Sequence, residues 1–168
     1  AELGYGDGDE VTTVSFGNNS NDKRITTYFR KSFIYEGNAS IPLQGVIRLR
    51  RDDGAVVYLN GEEMFRSNMP GGAIGFNTLA SDGVGGNAES ELNTVALQLT
   101  LLGGENVIAV EIHQRSSTSS DISFDLSLSA SVVSDEIISD VNPWPLSLTG
   151  NSGFVARYEP TGQCTLPL

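Results

Sequence analysis

Apolar residues in this chain alternate with polar ones in short runs bounded by glycine, asparagine and aspartate, the period of two that belongs to β-strands. The clearest run is Ile122 to Ala130, where Ile122, Phe124, Leu126 and Leu128 fall on one side and Ser123, Asp125, Ser127 and Ser129 on the other. A strand with one apolar and one polar face predicts an antiparallel sheet that is wet on one side. Gly45 to Arg51 repeats the pattern, with Ile47 and Leu49 on the core side and Arg48 and Arg50 opposite. Ile25 to Tyr35 is rich in β-branched and aromatic residues and predicts a long strand. Arg30 and Lys31 interrupt both of its faces, so its far face is expected to meet polar groups.

Ala55 to Leu59 and Glu63 to Arg66 flank Asn60-Gly61, the dipeptide that tight hairpins favour because both positions take positive φ. Leu92 to Leu102 and Val107 to His113 supply further core strands, and Val11 to Phe16 a short one. Residues 1–21 read as turn-rich, Asn68 to Phe76 and Ser81 to Glu91 as long loops. After Ala130 the pattern weakens through Ser134 to Asp140 and Pro143-Trp144-Pro145 to a last short strand, Gly153 to Tyr158. A chain of 168 residues with 19 glycines is therefore read as an all-β, antiparallel sandwich over residues 1–131. Residues 132–168 are read as an extension packing on the same or a neighbouring domain.

Ten Lys and Arg against 21 Asp and Glu leave a formal net charge of −11, which argues against the basic face that nucleic acid or an anionic bilayer requires. Cations are the more natural partners. No apolar run reaches the roughly 18 residues needed to cross a bilayer, so membrane insertion is not expected. The single cysteine, Cys164, has no partner for an internal disulfide. Opening at Ala1, the chain reads as processed or excised from something longer. It holds no GxSxG, HExxH, paired Cys or His ligands or phosphate loop, and one histidine; no enzyme is expected.

Asp7, Asp9 and Glu10 bring three carboxylates into one glycine-rich turn. Such oxygens suit Ca²⁺ when backbone carbonyls complete the shell; the same turn also suits Asp side chains that cap backbone amides. Asp52 and Asp53 follow Arg48, Arg50 and Arg51, which reads either as a salt-bridge network at a strand end or as a ligand or metal site. His113, with Glu111 on the same side of its strand, reads as a structural hydrogen-bonding histidine or, with Gln114 and Arg115, as a grip on a sugar hydroxyl. Tyr5, Tyr28, Tyr58, Trp144 and Tyr158 are either core fillers or faces on which a pyranose stacks. Asn18 and Asn38 begin glycosylation sequons.

The phrases GYGDGDE (Gly4 to Glu10), TTYFRKSF (Thr26 to Phe33), RDDGAVVYLNG (Arg51 to Gly61), FRSNMP (Phe65 to Pro70) and the segment Asn106 to Leu128 together resemble a bacterial extracellular accessory domain. That domain has a galactose-binding-like jelly-roll fold and is of the type appended to secreted metallophosphoesterases and to spore-coat-like or lamin-tail-containing surface proteins. The resemblance runs from Leu3 to about Ala130. It implies a secreted or cell-surface, non-catalytic module that contacts carbohydrate or cell-surface polymer and carries a structural Ca²⁺ ion. The contact surface is then expected around Asp52, Asp53, Asn60, His113, Gln114 and Asp121, and the ion at Asp7, Asp9 and Glu10. Relatives open with a further Trp-containing strand ahead of GYGDGD, and without it an edge or groove is exposed. With apolar pairs such as Val132-Val133, Ile137-Ile138 and Phe154-Val155 in the extension, this supports a second reading: a subunit of an extracellular filament or surface layer built by β-strand exchange.

Overall fold

The alternating runs become strands that bury one side each. The computed structural model describes residues 2–132, 146–148 and 155–157. Its strands are β1 (Leu3–Tyr5), β2 (Thr12–Thr13), β3 (Thr26–Tyr35), β4 (Leu43–Arg51), β5 (Gly54–Leu59) and β6 (Glu62–Ser67). They continue with β7 (Asn93–Leu99), β8 (Gly104–His113), β9 (Ile122–Val132), β10 (Leu146–Leu148) and β11 (Val155–Arg157). Helical structure among the described residues is confined to a 3₁₀ turn, Gly86–Ser90, and no helix there is long and apolar enough to cross a membrane.

One sheet runs β2-β1-β9-β4-β7, with β10 also pairing β9; the other runs β11-β3-β8-β5-β6. Apart from the short parallel contact of β1 with β2, all these pairs are antiparallel. Without β2, β10 and β11 the sheets read 1-9-4-7 and 3-8-5-6, the interleaved order produced when two Greek keys roll into a jelly roll. The chain is thus an antiparallel β-sandwich, as the alternation predicts.

The core lies between the sheets. Ile47 and Leu49 from β4 and Phe124, Leu126 and Leu128 from β9 face Phe29 from β3, Ala55 and Val57 from β5 and Val110 and Ile112 from β8, each at most 1% exposed. Phe29 and Phe124 stack across the interface with ring centroids 4.3 Å apart and planes 26° from parallel. Asn60 and Gly61 turn the β5–β6 hairpin with φ of 52° and 86°, the double positive φ that the dipeptide predicts.

Two strands depart from the sequence reading. Residues 3–5 were expected in a turn-rich stretch but form β1, because Leu3 and Tyr5 bury against β9 and Gly4 permits the approach: a Cβ there would sit 1.9 Å from the Ile122 carbonyl oxygen. The segment Val11 to Phe16 keeps only Thr12–Thr13 as strand, with Val14 in the core. In the extension, β11 falls inside the expected strand Gly153 to Tyr158. It pairs with β3 from Tyr28 to Arg30, and β10 pairs with β9 from Leu128 to Ala130. Ser134 to Asp140, Pro143-Trp144-Pro145, Tyr158 and Cys164 lie outside the described residues.

Register brings five connections to one end of the sandwich. Tyr5 pairs with Ile122, Arg51 with Phe124, Leu49 with Asn93, Gly54 with His113, Thr26 with His113 and Ala55 with Ser67. The turn after β1, the segment before β3, the β4–β5 crossover, the two-part loop 68–92 and the β8–β9 loop therefore meet there.

Candidate functional site

The loop end is built around the crossover Asp52-Asp53, which carries the chain from one sheet to the other across a cis peptide. The Asp53 side chain is 4% exposed and works as a two-armed acceptor: Oδ1 takes the Val84 amide at 2.7 Å, and Oδ2 takes the Arg115 amide at 2.6 Å. One buried carboxylate thereby fastens the 81–92 loop and the β8–β9 loop to the crossover. The Arg51 guanidinium completes the knot, donating to the Asp53 carbonyl at 2.6 Å and to Ser67 Oγ at 3.0 Å. Asn68 Nδ2 donates to the same carbonyl at 3.1 Å. The salt-bridge network expected between Arg48, Arg50, Arg51 and the two aspartates is not formed; Arg50 instead pairs with Glu2. Gly54 follows immediately because a Cβ there would meet Met69 Sδ at 2.5 Å and the Asn68 carbonyl at 2.8 Å.

His113 is fully buried. Its Nδ1 lies 2.7 Å from the Thr78 carbonyl, which only accepts, so Nδ1–H is the donor; Nε2 lies 3.0 Å from Glu111 Oε2. The alternation places His113 beside Glu111 correctly, but the face is roofed by the loop after β6. The Thr78 carbonyl meets the ring edge at Nδ1, Phe76 accepts from Thr26 Oγ1 and stacks on Tyr28, and Ala80 donates to the Gln114 carbonyl. Gln114 is 1% exposed and donates Nε2 to Tyr5 Oη at 2.8 Å and to the Arg24 carbonyl at 2.6 Å. His113 and Gln114 are struts beneath the loops.

Of the six residues expected to contact a ligand, Asp52, Asp53, His113 and Gln114 are thus buried, and the latter three are committed to protein partners. They shape the surface rather than form it. Asn60 lies at the opposite end, a strand length of about 20 Å away at 3.3 Å per residue. There its side chain joins Asn106 Oδ1 at 2.9 Å and accepts the Val107 amide at 2.8 Å. Only Asp121 stands at the rim of the loop end. Tyr5 and Tyr28 are buried and offer no face for stacking, whereas Tyr58 is half-buried. Asn18 and Asn38 are exposed.

The structure also regroups the acidic residues. Glu10 turns back on its own loop, with Oε1 and Oε2 accepting the amides of Asp7 and Gly8 at 2.9 and 3.0 Å; backbone amides, its own first and then those of Asp7 and Gly8, hold its carboxyl below the usual range. Asp9 is exposed and not drawn in. Asp7 meets Glu89 and Asp121, with one carboxylate oxygen of each lying within 4.8 Å of the others. Gly6 allows this: its φ is +112°, and a Cβ would come within 2.6 Å of Asp121 Cβ. Glu89 was missed by sequence reasoning because it sits in a loop without periodic pattern. Its one local sign is an acidic side chain in the segment leading into β7, which pairs beside β4.

Like charges at this spacing repel by about 1–4 kcal/mol per pair, depending on solvent screening. Burial, partly offset by a hydrogen bond from Ser123 and reinforced by Asp121 and Glu89, pushes the Asp7 carboxyl up to about 6. Asp52, 1% exposed, is pushed up to about 9 by burial first, then by Asp53, Asp121 and Glu89.

Neither protein-family models nor curated proteins yield a match to this chain. Among solved structures it is similar to an α-L-rhamnosidase of Streptomyces avermitilis complexed with L-rhamnose, at 10% identity and a TM-score of 0.49, over 87% of this chain and 12% of that one. It is also similar to an α-L-rhamnosidase from Dictyoglumus thermophilum, at 12% identity and a TM-score of 0.49, over 81% of this chain and 14% of that one. The chain spans a small fraction of the length of either enzyme, and neither likeness bears on what it does.

The raised carboxyls have a sign that can be checked. Between the unfolded carboxyl range near pH 4 and the native values of about 6 and about 9, the native state of Asp7 and Asp52 holds protons that the unfolded chain has released. Their contribution to stability is whole below about pH 4 and is lost as pH rises through the native values. Chelator-treated protein is therefore expected to show a lower urea midpoint at pH 8 than at pH 5, and Asp52→Asn should flatten the difference. A midpoint that rises over this interval contradicts the assignment.

Proposed function

We propose that this chain is a non-catalytic extracellular binding module that presents its loop end to carbohydrate or cell-surface polymer. The observation that carries the reading is the bracing of that end. Asp53, His113 and Gln114 are buried polar side chains spent on holding loops from both sheets in place, and the exposed parts of residues 81–91 and 115–121 ride on this support. Pre-ordered loops on a rigid sandwich lower the ordering cost of binding. The sole histidine has both ring nitrogens engaged and no contact with solvent, which favours a structural role over acid–base chemistry.

The test is retention of the full chain on a panel of plant, bacterial and animal polysaccharides, with reducing-end release measured in parallel. Retention without release is expected. Arg115→Ala, which alters an exposed loop side chain, should weaken it, and Asn60→Ala at the far end should not. Retention that Asn60→Ala removes and Arg115→Ala leaves intact would overturn the placement of the surface.

The strand-exchange reading needs β10 or β11 to leave the edges that they occupy on β9 and β3 of their own chain. In-chain pairing favours the module, with light scattering expected to give a monomer mass; open-ended polymers would reverse the preference.

A further inference from the structure

We infer that the loop after β6 is latched by one exchangeable proton: residues 68–80 close over the outer face of β3 and β8 while His113 is an imidazolium paired with the Glu111 carboxylate, and loosen when that proton leaves. The latch stands apart from any carbohydrate role.

The first observation is the donor count at the ring. Nδ1 lies 2.7 Å from the Thr78 carbonyl and 3.0 Å from Thr26 Oγ1. The carbonyl only accepts, and the Thr26 hydroxyl gives its own hydrogen to the Phe76 carbonyl. Both therefore present lone pairs to Nδ1 and require a proton there. Nε2 lies 3.0 Å from Glu111 Oε2, and that contact requires a second proton. Tyr58 on β5 hydrogen-bonds the same carboxyl group, and burial first, then Glu111, holds its phenol above the ordinary range, so Tyr58 is the donor. With Tyr58 donating to it, Glu111 is placed to be the anion of the pair and His113 the cation.

The second observation is burial. The His113 side chain is 0% exposed and that of Glu111 14%, so water has no access to the ring to replace a missing proton. A neutral imidazole carries one N–H and one lone pair. With the hydrogen on Nδ1, the Nε2 lone pair faces the carboxylate; with it on Nε2, the Nδ1 lone pair faces Thr78 and Thr26. Either neutral form sets lone pairs against each other in a dry site. The bond to the charged acceptor is the stronger one to keep, so the neutral ring takes the Nε2–H form and the Thr78 carbonyl loses its donor.

The charged groups facing the pair from the neighbouring strands are Arg66 and Glu63 of β6. Arg66 is bound to Glu63 and to the Pro70 and Gly72 carbonyls, so it pins the start of the roof with a charge that does not titrate. Thr26 on β3 and Thr78 in the roof do not titrate either. Closure is therefore complete while the pair keeps its proton and is lost as pH rises and the ring gives it up. Residues 76–80 open and residues 70–72 stay in place.

The test is ¹⁵N magnetic resonance of the full chain from about pH 5 to about pH 9, with amide exchange followed at the same pH values. His113 is the sole histidine, so its ring signals are unambiguous. Two protonated ring nitrogens are expected at the acid end. As one proton is lost, protection of the Ala80 amide, which donates to the Gln114 carbonyl, should fall by about tenfold or more, while that of the Val107 amide at the far end is unchanged. Val107 thereby separates the latch from the whole-chain pH effect of Asp7 and Asp52. Glu111→Gln offers an amide hydrogen to Nε2 and lets a neutral Nδ1–H ring satisfy Thr78, so it should abolish the pH step at Ala80 with the roof closed throughout. A merely structural Glu111 would instead leave the roof loose at every pH in this variant. If Glu111→Gln fails to fold, the titration of the unaltered chain decides. A ring that is neutral at about pH 5, one still doubly protonated at about pH 9, or one that loses its proton while Ala80 keeps its protection overturns the latch.

Discussion

Phe124→Ala is expected to lower the melting temperature by about 10 °C and to leave a protein that still folds into two sheets. Phe124 is fully buried, sits where β9 pairs with both β1 and β4, and stacks on Phe29 at 4.3 Å across the sandwich. Its loss removes buried apolar area and leaves a void between the sheets that Phe29 cannot fill from a fixed strand. Aromatic truncations of this kind cost about 3–5 kcal/mol, and each kcal/mol shifts the midpoint by about 2–4 °C in a chain of this size. Phe124→Leu, which keeps most of the volume, should cost about half as much or less. Calorimetry of both variants checks the ordering. Equal losses would mean that the ring stack contributes little and that the core is looser than its burial suggests.

Asp53→Ala is expected to act locally first. It deletes the acceptor shared by the Val84 and Arg115 amides. Hydrogen bonds to a charged acceptor contribute about 1.5–3 kcal/mol each, and water can partly replace these at the edge of the loops. A total loss of about 2–3 kcal/mol follows. Amide exchange should accelerate at Val84 and Arg115 while the far end, where Asn60 accepts the Val107 amide, keeps its protection. Uniform loss of protection through both ends would show instead that Asp53 supports the whole sandwich rather than its loop end.

The strands were legible in the sequence wherever their cause was local. The alternation of Ile122 to Leu128 and of Ile47 and Leu49, and the Asn60-Gly61 hairpin, needed no knowledge of the rest of the chain. β1 was not legible, because Leu3-Gly4-Tyr5 is too short for a periodic signal and becomes a strand only by lying against Ile122 to Phe124. The acidic cluster of the loop end was legible only in pieces. Asp7 was marked for metal, and Asp121 for ligand contact, as separate features. That they belong together depends on the strand order β1-β9-β4-β7, which no spacing reveals, and Glu89 depends on it entirely. The acids that the sequence does place together, Asp9 and Glu10 with Asp7, part in three dimensions because Glu10 satisfies the amides of its own turn. His113 shows the same limit: its neighbour on the strand was predictable, but the loop that roofs it was not.

The most direct measurement is retention of the full chain on a panel of polysaccharides, with Arg115→Ala and Asn60→Ala measured beside it. Retention that Arg115→Ala weakens and Asn60→Ala leaves intact is the expected result. Retention lost in Asn60→Ala and kept in Arg115→Ala would contradict the placement of the surface at the loop end.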